Sequence, residues 1–280
     1  MGRRSLSVSQ VLGAEAGTHA VVRRYAGLWL LALLVPVVAR AAAVFVNVDP
    51  GMWWSMSAST KRGLTADALL YTVGAVVLFA PLAGVVVGVR GRARRESEGR
   101  SGALETTWSL LVAVAMLVAA SAALTVYGWG QSDADALRLV ATSHATVFAV
   151  ALALSGFGAV CGATFNDSLD AAGCSLSVVL VAAGGLLVAG AALAKVPRAL
   201  IDVALTASPF VTMASAAHID VMRMAVPYQM SPLAHLQLQY PSWYSACGWY
   251  LALAALCFLG VGWKARSWQL TSVRLKGWIA

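Results

Sequence analysis

Apolar runs of about 20 residues, each long enough to cross a hydrocarbon layer as a helix, recur along the chain between polar breaks. They cover roughly Leu28–Val48, Ala66–Val89, Thr106–Gly128, Val140–Ala163, Gly173–Ala194 and Tyr244–Trp263. The pattern predicts an all-α polytopic membrane protein: one transmembrane domain over residues 1–280 with six spanning helices. Pro36 and Arg40 interrupt the first run, and Pro81 falls in the second.

The breaks carry structure of their own. Residues 1–27 hold Val8, Val11, Leu12, Val21 and Val22 ahead of Arg23 and Arg24, which fits a cytoplasmic helix lying on the headgroups or a plain polar tail. Residues 49–65 hold Trp53, Trp54 and Met56, an aromatic cluster suited to the outer interface. Residues 164–172 form a tight polar turn with Asn166, Asp167, Ser168 and Asp170. Residues 195–243 are too apolar for a disordered linker and too broken by proline for a clean span. Two short helices, Ala199–Leu205 and Phe210–Val226, are expected there, lying on or dipping into the membrane. The tail from Lys264 is basic and carries tryptophan, as a chain resting among headgroups would.

Composition agrees with a membrane class. The chain is 60% hydrophobic and only 11% charged, against about 25% charged in soluble domains; its mean hydropathy is +0.76. No apolar core follows Arg3 and Arg4, so no cleavable signal peptide is expected. The four cysteines form no CxxC pair and are read as small hydrophobes in helices.

Charge sets the orientation. With six spans and both ends on one side, that side holds 13 cations: Arg3, Arg4, Arg23, Arg24, Arg90, Arg92, Arg94, Arg95, Arg100, Lys264, Arg266, Arg274 and Lys276. The other side holds six. The imbalance predicts cytoplasmic N- and C-termini. The densest contribution is the stretch Arg90–Thr107, where five arginines and three glutamates separate two apolar runs. Such a segment cannot lie in hydrocarbon, so it faces water or a partner.

Chemistry-bearing constellations are scarce. No Walker, GxSxG or HExxH pattern occurs, no acids or histidines line one face of a span, and no catalytic or metal site is expected. His144 stands alone near a span end, where a satisfied interfacial histidine is the simpler reading. Arg40 either snorkels to the outer interface or lines a translocation path. Met213, His218, Met222, Met224, Met230 and His235 are soft ligands suited to Cu(I), or packing residues. His218 and Met222 are spaced i, i+4 for one helix face. Gly84 and Gly88 make a GxxxG spacing, a close-packing device within a bundle or at a dimer face.

The order of these features resembles the membrane subunit of an ABC-2 type transporter, the permease partner of a separate ATP-binding cassette ATPase. The residues that carry it are Pro81 followed by a charged stretch with Glu96, Glu98, Gly102, Leu104 and Glu105; the small-residue turn leading into an alanine-rich fifth span; Ser208-Pro209-Phe210; and Tyr240, Pro241, Trp243 and Tyr244 before the last span. One departure is visible: Thr106 and Trp108 lead straight into apolar sequence, where the family has a longer segment. The resemblance implies a permease with no enzymatic activity and no cofactor of its own, ATP being bound by the partner. It implies a cytoplasmic coupling loop over residues 90–105, with Arg94, Arg95, Glu96, Glu98, Gly102, Leu104 and Glu105 against that ATPase. It implies pairing as a homodimer or heterodimer of permeases in a bacterial inner (plasma) membrane, with cargo moved outward as by an exporter and no nucleic-acid partner. The alternative is a structural or cofactor-holding subunit of a membrane redox complex.

Overall fold

The computed structural model describes residues 58–98, 134–189, 195–218, 220 and 239–277, together with Val114, Val118 and Ala122. The expected N-terminal helix, the first span and most of the third span lie outside the described residues. Regular structure among the described residues is helical, with no strand. The helices are α1 (Ala58–Glu98), α2 (Ala134–Thr164), α3 (Ser168–Ala189), α4 (Arg198–Ala207), α5 (Pro209–Ala217) and α6 (Trp243–Gly277). Four of them, α1, α2, α3 and α6, are long and apolar enough to cross a membrane. The chain is an integral membrane protein of multi-pass type.

Helix α2 is the centre of the bundle. Of its apolar span, 78% is buried, against 22% for α3 and 28% for α6. The difference separates a core helix from two helices with lipid-facing sides. Leu180 and Val181 of α3 and Trp249, Leu256 and Leu259 of α6 are exposed, as expected where the solvent is hydrocarbon.

The α1–α2 contact is built from glycine. Gly84 and Gly88 of α1 face Gly158 and Gly162 of α2. A methyl group on Gly158 would strike the backbone carbonyl of Pro81, and one on Gly84 would strike that of Ser155. The two backbones therefore touch, the geometry small-xxx-small spacing allows. Gly84 and Gly88 are thus engaged within the chain. They leave no free GxxxG face for a second copy, which was one of the two readings their spacing allowed.

The contacts also fix helix direction. Pro81 lies against Gly158 and Val85 against Gly162, so α1 and α2 run parallel. Thr146 meets Cys247 at 3.3 Å, and Gly156 lies against Cys257, so α6 runs parallel to both. Helix α3 turns back along α2 after the short connection Phe165–Asp167. One end of the bundle therefore carries Glu98, the α2–α3 turn and the C-terminal half of α6. We call it the basic end, because Arg90, Arg92, Arg94, Arg95, Lys264, Arg266, Arg274 and Lys276 belong to it. Val114 and Val118, helical and four residues apart, pack against the main core.

Two expected loops are helical. The charged stretch does not leave the helix at Arg90; α1 continues to Glu98. Arginine and glutamate are good helix formers, and the first strong stop signal is Gly99. The basic tail after Trp263 likewise continues α6 to Gly277. An apolar run marks where a helix crosses lipid, not where it stops.

Within the connection between α3 and α6, the described helices α4 and α5 form an elbow that returns to the start of α6, where the Ser215 hydroxyl donates to the carbonyl of Pro241 at 2.6 Å. The connection starts and finishes at the opposite end, since α3 finishes there and α6 starts there. Helices α4 and α5 are bent by 79°. Pro209 causes the break: it drives Ser208 into extended backbone (φ −82°, ψ 117°) and then starts α5 with a pre-set φ. Tyr250 lies seven residues into α6, about 10 Å at 1.5 Å per residue. Its hydroxyl donates to the carbonyl of Ala207 at 2.8 Å, so the elbow dips to that depth. The Thr212 hydroxyl donates to Thr206 at 3.4 Å, and the Ser208 hydroxyl donates to Ala183 at 3.3 Å. The carbonyls of Thr206 and Ala207, left over at the end of α4, have no water to turn to in an apolar layer, and the hydroxyls of Thr212 and Tyr250 satisfy them. Helix α5 is buried along nearly its whole length, from Pro209 to Ala217.

Tyr250→Phe tests the elbow directly. It leaves the Ala207 carbonyl without its donor while preserving the ring. We expect a loss of about 1–3 kcal/mol, read as a lower midpoint in thermal unfolding of the detergent-solubilised protein.

Candidate functional site

At the basic end, the turn between α2 and α3 is locked from two sides. The Asp167 carboxylate accepts the Leu169 amide at 3.0 Å, capping the first turn of α3. Asp170 adds negative charge in that first turn, where a helix N-terminus favours it. From α1, Arg92 donates to the carbonyl of Phe165 and, at 2.9 Å, to that of Asn166. A guanidinium on the carbonyls just beyond the end of α2 satisfies groups that no helix bonds and complements the negative end of α2. One of the five arginines of the charged stretch is therefore a clasp between helices.

Arg94, Arg95, Glu96 and Glu98 occupy the last two turns of α1 beyond that clasp. They lie on a continuous helix rather than on the expected loop. Gly102, Leu104, Glu105 and Arg40 lie outside the described residues. These four residues share one helix end, which is held to the bundle by Arg92 and by the glycine contact.

At the other end, a cleft of about 590 Å³ opens between α3 and α6, under the elbow. Both helices pack on α2 but diverge from each other. The cleft floor is Leu154 and Phe157 of α2. Its sides are Val178, Val179 and Ala182 of α3 and Trp249, Tyr250 and Leu253 of α6. Helix α4 forms the roof. Its buried face, Ile201 and Leu205, packs on Val211, and its other face presents Asp202, Val203 and Thr206 to the cleft. Asp202 is the one charged side chain among the described residues of the lining.

The sequence reading overlooked this site. Its signal was present: Asp202 is the only acid in a short apolar helix whose core positions, Ile201 and Leu205, are spaced i, i+4. An ionisable residue in such a setting marks a site by default. Trp249 and Tyr250 carried no signal, because aromatic residues near a span end are ordinary interfacial anchors.

The other candidates resolve in structural terms. His144 is buried, with Nδ1 2.8 Å from the carbonyl of Val140 on its own helix. Helix α5 ends at Ala217, and His218 takes the left-handed conformation (φ 54°) with its amide on the carbonyls of Ala214 and Ser215. It is therefore not the i, i+4 helical partner of Met222, contrary to the longer helix expected to Val226. Among the described residues no group of three His, Cys, Asp or Glu side chains comes together as a metal site would require. The four cysteines are free thiols on the long helices. Compared with known proteins, the chain matches no family profile, no curated protein and no solved structure.

Proposed function

We propose that this chain is the permease subunit of an ATP-driven ABC-2 type transporter, acting as an exporter and forming the translocation path. The observation that supports the reading best is the pairing of two features at opposite ends of one bundle. A helical elbow lies between the last two long helices at one end. A charged helix end, clasped to the α2–α3 turn by Arg92, lies at the other. In this reading the basic end is cytoplasmic, as its Lys and Arg excess requires. The full count is six spans, with Leu28–Val48 and Thr106–Gly128 added to α1, α2, α3 and α6. Two permeases pair, and each receives an ATP-binding cassette ATPase at Arg94, Arg95, Glu96 and Glu98 and at Gly102, Leu104 and Glu105.

The mechanism follows from rigidity. ATP binding on the partner moves the end of α1. The glycine contact passes that movement to α2, and the Arg92 clasp passes it to the α2–α3 turn. Packed helices move as bodies rather than deform. The elbow, held by hydroxyl–carbonyl bonds to α3 and α6, is the part whose position then changes the access from the far side.

The test is capture of the tagged chain from its native membrane in mild detergent. An ATP-binding cassette ATPase in stoichiometric amount is the expected result, with ATP hydrolysis in the purified complex. Repeated purification with no nucleotide-binding partner removes the reading.

A further inference from the structure

We propose that the cleft between α3 and α6 is a binding site for a hydrophobic organic cation of drug size, with Asp202 as its counter-ion. The volume, about 590 Å³, falls within the roughly 300–1,000 Å³ of small-molecule sites. The lining decides the class of ligand. Apart from Asp202, Thr206 and the hydroxyl of Tyr250, the described walls are apolar, and three of them are aromatic: Phe157, Trp249 and Tyr250. The Tyr250 hydroxyl is already committed to Ala207, and the Thr206 hydroxyl donates to the backbone of Asp202 at 2.9 Å. Neither bond uses the Asp202 carboxylate.

Asp202 is exposed on the lining and supplies the one negative charge among its described residues, and a cation complements that charge. Aromatic faces attract the same cation through their quadrupoles, more strongly where water is excluded. An anion meets repulsion there, and a neutral apolar molecule gains nothing from that charge. Val178, Val203, Trp249 and Leu253 of the lining are exposed apolar side chains, which opens the cleft sideways. A ligand that partitions into the bilayer can therefore enter without crossing water.

The site stands without the transporter reading; only the role of the bound cation as cargo rests on it. The probes are tetraphenylphosphonium and tetraphenylborate, which share shape and hydrophobicity and differ in the sign of charge. Binding to the full chain in phosphatidylcholine nanodiscs is measured by equilibrium dialysis, with empty nanodiscs subtracted. The wild type is expected to favour the cation over the anion by about tenfold or more, one tenfold step being about 1.4 kcal/mol. Asp202→Asn is expected to abolish that preference, and Asp202→Glu to retain most of it. Val203→Trp fills the cleft and is expected to weaken binding of the cation to a similar degree. The Asp202 side chain is exposed and its hydrogen bond from Thr206 is to the backbone, so neither carboxylate variant disturbs the fold. Equal binding of the two probes to the wild type overturns the proposal, as does an Asp202→Asn variant that keeps the preference. Cation binding without ATP-driven movement in the reconstituted complex counts against the transporter reading and leaves the site intact.

Discussion

Gly158→Val is expected to unseat α1 from α2 and to cost at least the upper part of the roughly 1–3 kcal/mol typical of overpacking. The added carbons meet the backbone of Pro81, not a side chain that can turn away. Relief therefore requires the helices to separate, and separation undoes Gly84 against Ser155 and Gly162 against Val85 as well. Pro81 is fully buried at this crossing, so its carbonyl cannot rotate out to solvent. The control is Gly173→Ala, on α3, where a methyl group meets nothing within 4 Å. That change is expected to be neutral or to stabilise by about 0.5–1 kcal/mol, since alanine is the better helix former. Reversible denaturation in mixed micelles measures both. Equal stability of the two variants would mean that the α1–α2 contact is not the close backbone crossing described here.

The contrast between those two glycines bears on what the sequence could reveal. Span existence was legible because hydropathy alone decides it: α1, α2, α3 and α6 contain the apolar runs expected of the second, fourth, fifth and sixth spans. Helix ends were not legible where charge follows an apolar run, since Arg90–Glu98 and Lys264–Gly277 satisfy helix propensity as well as they satisfy a loop. The proline-rich connection was legible as broken short helices, because Pro197 and Pro209 restrict backbone in a way that needs no tertiary information. The burial of α5 was not, because Val211, Met213 and Ala217 are equally suited to a membrane surface. The glycine spacing announced close packing but not its partner. The cleft was least legible of all. It is made by α3 and α6 diverging from a shared neighbour, a tertiary fact that leaves no local pattern, and only Asp202 hinted at it.

If the proposed function holds, replacing Glu98 and Glu105 together by alanine is expected to leave insertion and folding intact while lowering ATP-driven transport by about tenfold or more. Insertion survives because orientation is set by Lys and Arg, to which acidic residues contribute little. Folding survives because the bundle is held at that end by Arg92, Asp167 and the glycine crossing, none of which the variant touches. Hydrogen bonds to charged groups contribute about 1.5–3 kcal/mol each, so losing even one from a docking surface weakens it by an order of magnitude. Glu98 is the last residue of a helix of 41 residues, about 60 Å long at 1.5 Å per residue. A force applied there reaches the glycine crossing, where Pro81 inside the helix is buried against Gly158 of α2. The measurements are ATP hydrolysis by the complex, its response to cargo, and the amount of ATPase retained on the tagged permease. Loss of retention identifies a docking role. Full retention with hydrolysis that no longer responds to cargo identifies a role in transmission. Transport at the wild-type rate removes both, and reduces the charged end of α1 to an orientation signal that any basic segment could supply.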